Sequence, residues 1–234
     1  MTERSKIASI YVVVAILSAG VIGTSLWIRE ARKKAFPEKQ ITDYGKEEPE
    51  VLLTLEGDLV ATNQAGEEVS LSALKDKVWV ASQFFANCPK CLTRNSGDLR
   101  KLYEEFRGNP DFHVVSISVN PADKVEDLKR YADSIGAETG NWWFLTGPPE
   151  KLREFMEKKM KFMRVVENEG PDPAVQFSHD LGFQVFARGM LLVKKRDLYY
   201  ARQQGEDMHR AYYAEVESTI RKSLAAREAA LESP

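Results

Sequence analysis

Cys88 and Cys91 are the only cysteines in a chain of 234 residues, and they fall as Asn87-Cys88-Pro89-Lys90-Cys91 directly after the apolar run Val78–Phe85. Two thiols separated by two residues can close a disulfide, exchange one with another protein, or grip a soft metal ion. The element that follows favours this chemistry. From Leu92 to Phe106, apolar residues recur at Leu99, Leu102, Tyr103 and Phe106, the spacing of one helix face. The cysteines are therefore expected at a helix start, where unpaired N–H groups and the positive end of the dipole favour a thiolate. Lys90 adds a cation between the sulfurs, and Pro89 suits a first turn that needs no N–H partner. Cys88, nearest that terminus, is expected to have the lower pKa. The competing reading is a pair of inert core thiols, which the strand–CPKC–helix context disfavours.

A dithiol at a strand–helix junction is the arrangement of thioredoxin-like folds, and the surrounding pattern predicts such a frame. Val51–Leu53 and Asp58–Ala61 are short strand candidates, and the turn at Asn63–Gly66 leads to Glu68–Leu71 as a hairpin partner. Val78–Phe85, Phe112–Val119 and Trp142–Leu145 read as strands. Helices are expected at Leu92–Phe106, Val125–Ile135, Glu150–Met163 and Glu206–Ala230. Phe183–Phe186 and Met190–Val193 form a late hairpin. Alternating strands and helices predict an α/β fold, a central mixed sheet covered on both faces and closed at one edge by antiparallel strands.

The ends of the chain carry different information. Ile7 to Ile28 contains no charged residue, and at about 1.5 Å per residue such a helix spans a hydrocarbon core of about 30 Å. Ser18-Ala19-Gly20 lies inside the run rather than after it, which favours a retained anchor over a cleaved leader. We therefore expect a membrane anchor over residues 1–28, a polar tether over 29–50 and one domain over 51–230. Arg4 and Lys6 precede the anchor while Arg29, Arg32, Lys33 and Lys34 follow it; flanking charge alone would put the downstream side in the cytoplasm. With 33 basic against 35 acidic residues and no basic stripe in the domain, nucleic acid is not expected as a partner.

Several stretches together resemble the Sco/SenC family. Glu67–Val80 followed by Phe84-Phe85-Ala86-Asn87-Cys88-Pro89 is similar to the approach to that family's site. Ser116-Ile117-Ser118-Val119-Asn120-Pro121 resembles its "SVDP" strand end, and Leu128–Ala132 the helix beyond it. Asn141–Glu150 resembles its "W-x-F-L-T-G" stretch. The likeness runs from about Asp58 to the final helix. It implies a membrane-anchored, thioredoxin-like copper protein that assists assembly of the copper centre of cytochrome c oxidase. It further implies a single-pass location in the inner membrane with the domain in the periplasm or an equivalent compartment, against the flanking charges. The family's third copper ligand is a histidine before a late strand, a role that the resemblance carries onto His179 in Phe177-Ser178-His179-Asp180. Two thiolates and an imidazole suit copper in either oxidation state. Two positions depart from the pattern. The family spaces its cysteines C-x-x-x-C, where this chain has C-x-x-C, and Asn120 replaces the acidic residue of "SVDP".

The expected metal ligands are thus Cys88, Cys91 and His179, and the expected cargo is a copper ion. His113 alternates within a strand and is expected to be packed there. His209 is expected to be a solvated helix residue, and Met156, Met160 and Met163 to line the core or a groove. Two functions compete. One is a copper metallochaperone serving an oxidase subunit or another dithiol client; the other is a metal-free, anchored thiol–disulfide oxidoreductase in which Cys88 attacks and Cys91 resolves. A structural zinc site is one ligand short of a closed tetrahedron. His179 separates the first two, since a reductase does not need it.

Overall fold

The computed structural model describes residues 3–35, 45–88, 96–170 and 176–231, with side chains resolved at 11–28 and 206–226 inside the two terminal helices. The chain divides into two units, residues 1–40 and 41–234. The first is helix α1 (Glu3–Ala35). Its segment Tyr11–Ile28 is long and apolar enough to cross a membrane and is unburied. Thr24 folds its hydroxyl back onto the carbonyls of Gly20 and Val21, so that polar group is satisfied within the helix.

The second unit runs β1 (Leu53–Thr54), β2 (Val60–Thr62), β3 (Glu68–Ser70), a 3-10 turn at Leu71–Leu74, β4 (Val78–Phe84), α2 (Gly97–Phe106), β5 (Phe112–Ser118), α3 (Val125–Ile135), β6 (Trp142–Leu145), α4 (Pro149–Glu154), β7 (Val166–Glu167), β8 (Phe177–Ser178), β9 (Phe183–Ala187), β10 (Leu191–Arg196), α5 (Leu198–Gln204) and α6 (Glu206–Leu231). The main sheet has the order β1-β10-β9-β4-β5-β6. β4, β5 and β6 are parallel, while β9, β10 and β1 continue the sheet antiparallel. The expected mixed sheet with an antiparallel edge is present.

Period-two alternation buries both faces of that sheet. Val78, Val80, Phe84, Val114 and Phe144 turn toward α2, α3 and α6, joined by Leu102, Tyr103, Leu128, Val216 and Ile220. Trp79, Ala81, Phe85, Val115 and Ile117 turn the other way, toward Leu59, Leu71, Met156, Met160 and Phe177. Cys88 belongs to this second cluster. The small hairpin β2–β3 closes on Asn63, whose side-chain oxygen accepts from the N–H groups of Ala65 and Glu67. Gln64 at its tip bonds the edge of β6, donating to the Trp142 carbonyl at 2.6 Å and accepting from Phe144 N–H at 2.8 Å. An edge strand that would otherwise be open is thereby capped by a side chain.

Three elements depart from the sequence expectation. The helix expected over Glu150–Met163 is regular only to Glu154, then widens so that Met160 N–H reaches the Phe155 carbonyl. The wider turn lets Phe155, Met156 and Met160 all face the core. Lys161 then takes a left-handed φ of 60°, ending the helix, and Met163 is left 54% exposed, outside the core that Met156 and Met160 join. The β7–β8 ladder and α5 have no clear periodicity in sequence because they are too short to show one. The expected helix start at Leu92, with Pro89 and Lys90 before it, lies outside the described residues; α2 is seen from Gly97.

Candidate metal and dithiol site

Cys88 stands where β4 leaves the sheet. Phe84 accepts from Val119 N–H at 2.9 Å, which pins the strand end against β5, and Cys88 N–H turns back onto the Phe85 carbonyl at 3.2 Å. Between them, Ala86 N–H donates to a carboxylate oxygen of Asp123 at 2.8 Å. The turn therefore sits at the carboxyl ends of the parallel strands, where open α/β sheets place their sites. Cys88 is 6% exposed and is disulfide-bonded. Cys91, the one other cysteine in the sequence, lies outside the described residues.

His179 follows β8 and is also 6% exposed. Its ring meets Phe85 edge-on at 5.9 Å, and Phe85 meets Phe177 in the same way at 5.3 Å. Cys88 and His179 therefore both border Phe85, one through the chain and the apolar cluster and the other through its ring. His179 Nδ1 lies 2.9 Å from the Asp180 carbonyl oxygen. A carbonyl only accepts, so Nδ1 carries the proton and the lone pair resides on Nε2. The contact is with the backbone of Asp180, leaving its carboxylate for other work.

That carboxylate holds the histidine loop. It accepts from Gly182 N–H at 2.9 Å and Met163 N–H at 3.1 Å, and it pairs with Lys195. Asp180 N–H donates in turn to the side chain of Gln83 at 2.8 Å, whose amide reaches the Met156 sulfur at 3.4 Å. Gln83 lies in β4, five positions before Cys88, so one strand supports both the cysteine and the histidine loop. Sequence reasoning passed over Gln83; the clue was a polar residue inside the apolar run Val78–Phe85, which had to find partners once buried.

Asp123 was also passed over. Its carboxylate collects Ala86 N–H, the Ser118 hydroxyl at 2.6 Å and the Asn120 amide at 2.8 Å. The acidic group absent at Asn120 is thus present three residues on, bonded to Asn120 itself. Burial raises the pKa of Asp123, with the hydrogen bonds from Ser118, Ala86 and Asn120 acting in the opposite direction.

The other histidines lie elsewhere. His113 is packed in β5 against Trp143 at 4.4 Å, as its alternation predicts. His209 is not solvated, contrary to the sequence expectation: Nε2 lies 2.9 Å from Asp98 and 3.1 Å from Arg202. The fully buried Asp98 carboxylate recruits it where α2 meets α5 and α6, since an unpaired charge there would be costly. Among the described residues no three His, Cys, Asp or Glu side chains gather as a metal cluster.

A β4 cysteine turn and a mixed sheet covered on both faces define a thioredoxin-like domain. Residues 49–220 match the SCO1/SenC family model, and the chain belongs to that family. The SCO1 protein homolog of Bacillus subtilis (strain 168) is 34% identical over 119 residues, covering 50% of this chain and 61% of that relative. The aligned part thus spans less than two thirds of the relative's length. Among solved structures, BsSco, described as a member of the Sco family of cytochrome c oxidase assembly proteins with a disulfide switch, superposes with a TM-score of 0.57 at 24% identity, covering 76% of this chain and 97% of its own. Arabidopsis thaliana ScoI with copper bound superposes with a TM-score of 0.57 at 20% identity, covering 72% and 99%. At these identities the two structures establish the shared fold.

Proposed function

We propose that this protein is a membrane-anchored copper chaperone that assists assembly of the copper centre of cytochrome c oxidase. Cys88, Cys91 and His179 are its ligands for one copper ion, carried as cargo. Residues 1–28 form the anchor, 29–50 the tether and 51–230 the working domain, which faces the periplasm or an equivalent compartment. The observation that carries the reading is the buried His179 beside Phe85, with Nδ1 held by a backbone carbonyl. A hydrogen bond at that nitrogen sets the tautomer and orients Nε2 as a donor atom, the usual support for a metal-ligating histidine. A dithiol reductase has no use for such a residue. Relatives of the same fold solved with copper bound support the choice of metal.

Loading requires the disulfide to be opened first, by a two-electron donor that also supplies two protons; the thiols then lose protons as copper binds. The C-x-x-C spacing serves this role as C-x-x-x-C does in the family, because three- and four-residue separations both share one helix face. The disulfide at Cys88 supports a second reading, a metal-free thiol–disulfide oxidoreductase.

The two are separated by anaerobic Cu(I) titration of the reduced full-length chain in detergent, against His179→Ala. The chaperone predicts one copper per chain and at least tenfold weaker binding in the variant. Equal affinity in both proteins, or no stoichiometric binding, leaves the oxidoreductase.

A further inference from the structure

We infer that Asp123 is a positioning residue for Cys88: its buried carboxylate latches the backbone turn that delivers the cysteine from β4. The inference rests on Cys88 being the reactive centre, which holds for both functions above.

Asp123 is 4% exposed and stands just before α3, remote in sequence from the cysteine. One oxygen accepts from Ala86 N–H at 2.8 Å and from the Ser118 hydroxyl at 2.6 Å; the other accepts from the Asn120 amide at 2.8 Å. Its own carbonyl accepts from the Thr146 hydroxyl at 2.9 Å. The residue therefore ties together the carboxyl ends of β4, β5 and β6. Ala86 is the sole link in this set that lies on the cysteine turn. A charged acceptor makes that bond about twice as strong as a neutral one. Asn120 is in turn fixed, because its side-chain oxygen accepts from Ala122 N–H at 2.9 Å. Its amide group must therefore face Asp123, and the carboxylate cannot be replaced by an amide without placing two donors face to face.

One effect on the dithiol follows. A turn held in place loses less entropy when the Cys88 disulfide closes. The latch therefore favours the disulfide, so removing the carboxylate makes the pair easier to reduce.

The test uses the full-length chain in detergent, with no copper added, equilibrated with dithiothreitol. Dithiothreitol gives two electrons and two protons to the disulfide and itself closes to a cyclic disulfide. Asp123→Asn is expected to shift this equilibrium about tenfold toward the dithiol, equivalent to ~30 mV, and to speed exchange of the Ala86 amide hydrogen at least tenfold. The transposed pair N120D/D123N restores donor against acceptor and keeps one carboxylate in the cluster, so both quantities should return to wild type. A variant that melts earlier but keeps the wild-type equilibrium and Ala86 exchange would overturn the inference and leave Asp123 a purely structural residue. A shift left uncorrected by the transposed pair would overturn it too. Should Asp123→Asn fail to fold, the transposed pair decides alone: it must fold and match wild type in both readouts. Copper affinity enters none of these outcomes, so the inference stands or falls apart from the chaperone reading.

Discussion

His113 carries a cost that follows from its burial. Its ring is sealed between β5 and Trp143, and Nε2 has no hydrogen-bond partner among the described residues. Burial, and secondarily the charge of Lys77, push its pKa down to about 3. Between about pH 6.5 and 3 the unfolded chain binds a proton that the folded chain refuses. Stability therefore rises with pH across that window and is lost as pH falls through it, at about 1.4 kcal/mol per pH unit. His113→Phe keeps the ring and removes the titration. Urea unfolding at pH 7, 6, 5 and 4 should show a shallower acid decline in the variant by about one proton. Parallel curves for the two proteins would refute the assignment. At pH 7 the variant should be no less stable, since it no longer buries an unpaired nitrogen.

At the scale of elements, α6 is held against the sheet by charge as well as by Val216 and Ile220. The side chain of Glu215 is 3% exposed, grips Arg196 through two nitrogens at 2.5 and 2.7 Å, and meets Lys194 at 2.8 Å. Burial pushes its pKa up, but the hydrogen bonds and charges of Arg196 and Lys194 prevail and hold it below the usual carboxylate range. Its stabilisation is thus present at neutral pH and lost as pH falls below the unfolded value. Breaking a fully buried pair costs about 3–5 kcal/mol; here the cations keep some contact with water, which lowers the figure. Glu215→Gln should cost about 2 kcal/mol in denaturant unfolding at pH 7. A change under about 0.5 kcal/mol would show that apolar packing alone seats the helix.

For the whole molecule, the boundary of the folded domain is the testable quantity. The polar stretch before residue 51 reads as tether, yet part of it is bonded to α6. Ser218 donates its hydroxyl to the Gly45 carbonyl at 2.5 Å, and Lys222 donates to the carbonyls of Lys46 and Glu47, both at 2.8 Å. Lys222 also pairs with Glu48 at 3.1 Å. A chain truncated to residues 51–234 should fold and remain monodisperse, because neither cluster of the core is cut. It should melt about 5 °C below one truncated to 41–234, from about 2 kcal/mol of lost hydrogen bonds at 2–4 °C per kcal/mol. Equal melting temperatures would make residues 45–50 tether in function as well as composition; aggregation of both fragments would mean the anchor region is needed to fold.

What was legible in the sequence is what local periodicity and covalent spacing encode. The alternation of Val78–Phe85 and Phe112–Val119 determined that both strands lie buried between two layers, because a period of two with apolar residues at both phases has no solvent face. Val125–Ile135 announced its helix through one apolar stripe, and the apolar run ending at Phe85 set Cys88 at the point where the chain leaves the sheet. Tertiary structure decided everything that depends on residues distant in the chain. Gln83 supports the loop of His179 across more than ninety positions; Asp123 reaches back to Ala86; Asp98 claims His209 from solvent. Each is a polar group whose partner is chosen by burial, and burial is a property of the folded molecule. A carboxylate or amide in a sequence can face water or a buried donor with equal ease, and only the closing of the core removes the first choice.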